Sequence, residues 1–127
     1  MEKETIATEN APAAVGPYSQ GVRIGHLVYT AGQIALIPGT SELRTGGIAE
    51  QTQQVMKNLE AVLTAAGSNM DQVIKTTVFL QDMGDFSAMN EEYAKAFSQD
   101  PPARSTVEVS KLPLGALVEI EMIAHSG

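Results

Sequence analysis

The two consecutive prolines at positions 101 and 102 constrain the fold of this chain more than any other feature of its sequence. Proline lacks a backbone N–H and biases the preceding residue away from helical angles, so a helix cannot continue through this pair. Before the prolines, apolar residues recur at helical spacing: Phe86, Met89, Tyr93 and Phe97. After them comes a β-branched run, Ser105 to Val109, with neighbours of Arg104 that look buried. We therefore predict a helix that the prolines stop, with Asp85 as candidate N-cap, and a strand after them.

The rest of the chain alternates between strand and helix patterns. A hairpin is predicted at 22–30, with Gly25 and His26 as its turn. An apolar stripe from Ile48 to Ala66 indicates a helix, and Gly67 suits its left-handed cap. The run Val73 to Leu80 is typical of a central strand, and a last strand is predicted over 117–124. The predicted order is ββαβαββ.

This order favours an α+β fold, a two-layer sandwich with two helices packed on one face of a mixed or antiparallel sheet whose last two strands are adjacent. In the last strand, Val118, Ile120 and Met122 share the face that meets the helices. Glu119 and Glu121 then project from the other face beside Ile123, which makes that face half apolar. We expect such a face to be a subunit interface.

Length and composition exclude several classes of protein. A chain of 127 residues is long enough for one domain with a core, and we assign a single domain to residues 1–127. The net charge of −7, without any basic run, argues against nucleic acid as a partner. The absence of cysteine excludes disulfides and thiolate metal sites, and His26 and His125 show no metal-ligand spacing. Without a signal peptide or long apolar span, we expect a cytoplasmic protein with no membrane partner.

Arg104 and Glu119 are the residues from which chemistry can be built. If the last two strands pair across 111–114, both residues lie near one end of the sheet. Arginine captures carboxylates with a planar fork, and a partly desolvated glutamate can accept a proton from water. Together they suit a small carboxylic acid with a hydrolysable group. From the residues alone, a structural ion pair is the more common reading, and Glu121 is an equal candidate for the active carboxylate.

Six sequence blocks, in order over nearly the whole chain, resemble the RidA family of small imine and enamine deaminases, also called the YjgF-like family. These blocks are 8–12 (Thr-Glu-Asn-Ala-Pro), 16–21 (Gly-Pro-Tyr-Ser-Gln-Gly), 31–34 (Ala-Gly-Gln-Ile), 75–80 (Lys-Thr-Thr-Val-Phe-Leu), 102–105 (Pro-Ala-Arg-Ser) and 118–124 (Val-Glu-Ile-Glu-Met-Ile-Ala). The resemblance implies a chorismate-mutase-like fold and a homotrimer around a central barrel, with sites between subunits. It also implies hydrolysis of 2-aminoacrylate, 2-iminopropanoate and 2-iminobutanoate to 2-oxo acids and ammonia, with no cofactor.

The same resemblance implies roles for individual residues. Arg104 matches the arginine that binds the substrate carboxylate, and Gly32 matches a glycine whose backbone N–H supports it. Glu119 matches the carboxylate that positions water and moves its proton. The remaining matches are with residues that line the pocket: Tyr18, contributed by the neighbouring subunit, Asn90, and Thr106.

Two positions depart from the family pattern. Thr106 stands where many members have cysteine, and Ala31 stands where many have serine. An imine carbon is electrophilic enough for attack by water, so a thiol is not required. The alternative to an enzyme is a binding protein that senses a 2-oxo acid in the same clefts. A ribonuclease, a function proposed for some relatives, is disfavoured by the acidic charge and the lack of a histidine acid/base pair.

Overall fold

A computed structural model describes residues 1–127 and contains six strands and two α-helices. The strands are β1 (Glu4–Ile6), β2 (Gly21–Ile24), β3 (Leu27–Thr30), β4 (Val73–Leu80), β5 (Ala103–Glu108) and β6 (Val118–His125). The helices are α1 (Ile48–Ala65) and α2 (Phe86–Ala94), and short 3₁₀ turns lie at Met70–Gln72, Met83–Asp85 and Pro113–Gly115. Only β1 was absent from the predicted order, because three residues that pair with one neighbour give too short a pattern to recognise.

The six strands form one mixed sheet in the order β1-β2-β3-β6-β4-β5. β4 and β5 are parallel, and every other pair is antiparallel. The prediction that the last two strands are adjacent is therefore wrong. The chain crosses over through α2 between β4 and β5, which makes that pair parallel and leaves β5 at the sheet edge. β6 then occupies the central place between β3 and β4.

Both helices contribute to one core against one face of the sheet, which confirms the two-layer α+β architecture. Val118, Ile120 and Met122 of β6 are buried on that face, as their alternation predicts. α1 packs on them with Leu59 and Leu63. No helix of the protein is long and apolar enough to cross a membrane.

The ends of several elements follow local backbone rules. Gly25 has a φ of +56° in the β2–β3 turn, as predicted. Gly67 directly follows the C-terminal cap residue of α1 and has the predicted left-handed conformation, with a φ of +81°. Asp85 precedes α2, but its side chain makes no capping hydrogen bond. Asp82 accepts instead from the Gly84 N–H at 2.8 Å. α2 ends at Ala94, well before the prolines, so the prediction that the prolines stop this helix is wrong.

The sheet face opposite the helices, called the open face below, is uncovered in the single chain. Strand register places these residues on it: Tyr29, Phe79, Val107, Glu119, Glu121 and Ile123. The face is half apolar, as predicted. β5 is more exposed than its β-branched sequence suggests, with Val107 43% exposed, because an edge strand has a neighbour on one side only.

Candidate functional site

Arg104 lies on β5 and points to the helix side of the sheet. Its register partner on β4 is the buried Thr76. The guanidinium carbon lies 4.9 Å from the ring centre of Tyr93 and 5.4 Å from that of Phe86, both on α2. One guanidinium nitrogen, Nη1, donates to Oδ1 of Asn90 at 2.7 Å. Cation–π contacts and a hydrogen bond from one helix thus fix the orientation of this charge.

The charge of Arg104 has no carboxylate partner. The ion pairs of the chain are Arg23 with Glu4 and Lys95 with Glu92, so the reading of Arg104 as half of a structural ion pair is wrong. The bond from Nη1 to Asn90 is its one well-formed hydrogen bond, and the nearby Tyr93 hydroxyl is influenced by its charge. The guanidinium borders a cleft of about 510 Å³ whose other lining residues are Asn90, Tyr93, Ala94, Phe97, Pro101 and Pro102.

Three hydroxyl groups lie near this cation on the helix side of the sheet. The Tyr93 hydroxyl shares a 2.7 Å hydrogen bond with that of Thr76, and burial raises the pKa of the Tyr93 phenol. Thr106 is two residues beyond Arg104 on the same face, in register with Val78. Its Oγ1 is buried and has no hydrogen-bond partner. An unpaired buried hydroxyl is costly to stability.

Glu119 lies on the open face of β6, where the chain after β3 packs directly on it. A Cβ atom at position 32 would lie 2.9 Å from the Glu119 Cδ, so any larger residue there would force this carboxylate to shift. The next residue, Gln33, exchanges two backbone hydrogen bonds with Ile120, at 2.9 and 3.1 Å. The Gly32 N–H itself donates to no acceptor in the chain.

Glu119 closes one side of a second cavity, of about 340 Å³. The other lining residues are Pro12, Ala13, Val15, Tyr18, Gly32, Gln33, Ile34, Leu36, Pro113 and Leu114. Burial among these mainly apolar groups raises the pKa of Glu119 above its ordinary value, and the nearby charge of Glu121 adds to the rise. A carboxylate with a raised pKa suits proton exchange with water near neutral pH.

The predicted site residues therefore form two groups in one chain. The first, called the arginine group, is Arg104, Asn90 and Thr106, and the second, called the glutamate group, is Glu119, Gly32 and Tyr18. β4 separates their strands, and the groups use opposite sheet faces. The prediction that Arg104 and Glu119 meet on adjacent strands of one chain is wrong, because β5 pairs with β4 and not with β6.

Sequence reasoning assigned Phe86 and Tyr93 to the core alone and missed their contact with Arg104. The signal was present in α2, where residues 86, 90 and 93 lie on one helical face by their spacing. Phe86 and Tyr93 therefore flank the Asn90 amide that receives the guanidinium. The chain has no group of three or more histidine, aspartate or glutamate side chains placed to hold a metal ion.

Comparison with known proteins places this geometry in a family. A family model described as "Endoribonuclease L-PSP" matches residues 8–126. A RutC family protein from Pyrococcus horikoshii is 52% identical over 97% of this chain and 98% of its own. The "2-iminobutanoate/2-iminopropanoate deaminase" of Mus musculus is 46% identical over 98% of this chain and 93% of its own. The crystal structure of RidA from a Psychrobacter species superposes with a TM-score of 0.92 and 45% sequence identity. The match covers 96% of this chain and 98% of that one. The chain therefore belongs to the RidA (YjgF-like) family, whose members include proteins named as imine deaminases.

Proposed function

We propose that this protein hydrolyses reactive 2-imino and 2-enamino acids to 2-oxo acids and ammonia, without a cofactor. The substrates would be 2-aminoacrylate, 2-iminopropanoate and 2-iminobutanoate. The observation that carries the proposal is Arg104, an oriented cation on a cleft with no carboxylate of its own. Such a cation suits a small carboxylic acid. The name of the mouse relative supports the imine as the reacting group.

Binding would use the donors that the fold leaves free. Asn90 holds Nη1 of Arg104, so the remaining guanidinium N–H groups are available to the substrate carboxylate. The Gly32 N–H, which has no acceptor in the chain, would donate to the same carboxylate. Tyr18 would cover the bound acid.

The reaction itself needs only water and a proton carrier. Water attacks C2 of the protonated imine while Glu119 takes one of its protons, which gives a carbinolamine. The Glu119 carboxylic acid then returns that proton to the nitrogen, and the C–N bond breaks as the C2 carbonyl forms. The regenerated Glu119 carboxylate takes the hydroxyl proton and passes it to the departing ammonia, which leaves as ammonium. The raised pKa of Glu119 fits a group that must both accept and return a proton. Positioning supplies most of the rate enhancement, because free 2-imino acids already hydrolyse in water.

Since the arginine and glutamate groups occupy opposite sheet faces of one chain, their cooperation requires a second chain. We infer a homotrimer in which the arginine group of one subunit faces the glutamate group of its neighbour. The half-apolar open face is the surface that such an assembly would cover.

The two departures from the family pattern fit this mechanism. Thr106 provides a buried, unpaired hydroxyl two residues from Arg104, and its role would be to contact the bound acid and not to act as a nucleophile. Ala31 removes one potential hydrogen bond to the ligand, which is worth about 1 kcal/mol in typical cases and would adjust substrate preference.

The test couples the protein to a pyridoxal-phosphate threonine dehydratase and follows 2-oxobutanoate formation above the spontaneous rate. The wild type should accelerate this step, and Arg104→Ala should abolish the excess. Arg44→Ala is the matched control, because Arg44 lies outside the cleft and the one hydrogen bond of its side chain is to Gln53. Full activity in Arg104→Ala would contradict the proposal.

The rival function is a sensor that binds 2-oxo acids without turnover. The unpaired Arg104 would serve a sensor as well as an enzyme, whereas the half-buried Glu119 beside Gly32 favours chemistry. Saturable binding of 2-oxobutanoate with no acceleration of imine hydrolysis would establish the sensor. A ribonuclease, despite the family description, is disfavoured by the net charge of −7 and by the lack of clustered basic residues.

A further inference from the structure

Asn58 of α1 is a polar residue in the centre of the core, with 0% of its surface exposed. Its side chain makes no hydrogen bond to the backbone of its own helix. Nδ2 donates to the backbone oxygens of Leu36 at 2.9 Å and Ile34 at 3.3 Å, and Oδ1 accepts from Nε2 of Gln54 at 2.9 Å. Buried amides persist when their donors and acceptors are satisfied, and here the partners belong to a loop of the site.

That loop, residues 31–36, is called the Gly32 loop below. Ile34 and Leu36 line the cavity of Glu119 together with Gly32. The loop has four attachments. The Ala31 N–H donates to the Gln20 backbone oxygen, and the Ala35 backbone oxygen accepts from the Arg44 N–H. Gln33 joins it to β6 next to Glu119 through two backbone hydrogen bonds, and Asn58 joins it to α1 at the following residues.

We infer that Asn58, held by Gln54, is a positioning residue that fixes the Gly32 loop over Glu119. It does this from the core, without contact with the substrate. Without the Asn58 donors, the carbonyls of Ile34 and Leu36 lose their hydrogen bonds to α1, and only backbone bonds at residues 31, 33 and 35 hold the loop. Ile34 and Leu36 would then cover the cavity of Glu119 less firmly. The catalytic part of this inference rests on the proposed function, but the structural part does not.

Titration of Glu119 reports on the loop independently of activity. Burial is the larger cause of its raised pKa, and the Gly32 loop provides much of that burial. The charged neighbour that contributes to the rise is Glu121 on the same strand. Among the residues that line the cavity, Tyr18 is the other titratable group, and the facing residue of β4 is Phe79. Loosening the loop should therefore let water reach Glu119 and lower its pKa.

α1 offers a matched control for this idea. Thr52 is also 0% exposed on the inner side of the helix, yet its hydroxyl has no hydrogen-bond partner. Thr52→Val removes a buried polar atom without touching the loop. A change that appears in an Asn58 variant and not in Thr52→Val is therefore due to the loop contacts.

The experiment compares wild type, Asn58→Leu, Gln54→Met and Thr52→Val. Glu119 is titrated by the NMR signal of its ¹³C-labelled carboxyl, assigned with Glu119→Gln, and hydrogen exchange is measured for residues 32–36. In Asn58→Leu we expect a lower Glu119 pKa and loop exchange about tenfold faster, with KM for 2-iminobutanoate increased more than kcat is reduced. Gln54→Met should give smaller changes in the same direction. Because it leaves Asn58 in place, it should fold even if Asn58→Leu does not.

The outcomes separate this inference from the proposed function. Wild-type Glu119 titration and loop exchange in a folded Asn58→Leu, or in Gln54→Met should Asn58→Leu not fold, would overturn the positioning role. Equal changes in Thr52→Val would do the same. If the wild type does not accelerate imine hydrolysis, the proposed function fails, while the titration and exchange data still decide the role of Asn58.

Discussion

At the scale of single residues, the two charged groups of the site are held without ionic partners. Arg104 is supported by ring faces and one amide, and Glu119 is half-buried among mainly apolar groups. The burial of Glu119 is unfavourable for stability, because a desolvated charge without a partner costs free energy. Such costs are typical of sites whose partner is a ligand.

Glu119 therefore predicts a dependence of stability on pH. Its pKa in the folded protein lies above the ordinary value of 4.5, so in the window above 4.5 the folded state binds more protons than the unfolded state. The free energy of unfolding falls as the pH rises through this window. Glu119→Gln removes this loss, so we expect the variant to have the higher melting temperature at pH 7 to 8 and to lose that advantage as the pH falls towards 4.5.

Thermal unfolding followed by circular dichroism at several pH values measures this effect. Glu121→Gln is the control, because Glu121 is exposed and contributes only the smaller part of the rise in the Glu119 pKa. It should give a smaller gain in melting temperature at neutral pH. A Glu119→Gln variant that is no more stable than wild type at pH 8 would mean that the carboxylate is not destabilised by burial.

At the scale of elements, the sequence predicts what depends on neighbouring residues and fails where distant segments decide. The alternation in β6 predicted which side chains face the helices, and Gly67 predicted the end of α1. Both follow from local geometry. The adjacency of β5 and β6 did not follow, because strand order depends on the crossover through α2 and on β3, which holds the other side of β6.

The candidate site, like the fold, could be predicted from the sequence only in part. Residue types marked Arg104 and Glu119 as chemical groups, and the resemblance to the family assigned their roles. Spacing placed Tyr93 on one face of α2, but local patterns did not show that Arg104 contacts this face or that Asn58 is linked to the Gly32 loop, because each contact joins different elements. Only the packed structure brings these segments together.

The close contact between the Gly32 loop and β6 predicts the effect of a substitution at position 32. A Cβ atom at position 32 would lie 2.9 Å from Cδ of Glu119, and the glycine φ is not in the left-handed region, so Gly32→Ala should displace the carboxylate without straining the backbone. We expect a folded protein whose rate of imine hydrolysis is roughly 100-fold lower, since a displacement of about 1 Å at a reacting group has such effects.

Steady-state rates and melting curves of purified Gly32→Ala test this expectation. Gly47→Ala is the control, because an added Cβ there would meet its nearest neighbour, the Glu50 side chain, only at 3.9 Å. It should keep the wild-type rate. A fully active Gly32→Ala would show that Glu119 does not need its observed position for the reaction.

At the scale of the whole molecule, the separation of the two groups becomes the main constraint. One chain presents its arginine group on the helix side of an edge strand and its glutamate group on the open face of a central strand. No rotation of side chains brings Arg104 and Glu119 together, because the sheet lies between them. A reaction that needs both therefore requires two chains, and its activity should depend on assembly.

Mixed assemblies test this dependence directly. Arg104→Ala and Glu119→Gln subunits, each expected to be inactive alone, are co-expressed with different affinity tags, and the proposed trimers that carry both tags are purified. If each site takes its arginine from one subunit and its glutamate from the next, every mixed trimer has one intact site, so activity should return to about one third of wild type. If both groups of a site belonged to one chain, every site would lack a residue and the mixture would stay inactive. Trimers with either substitution in all subunits provide the background rate.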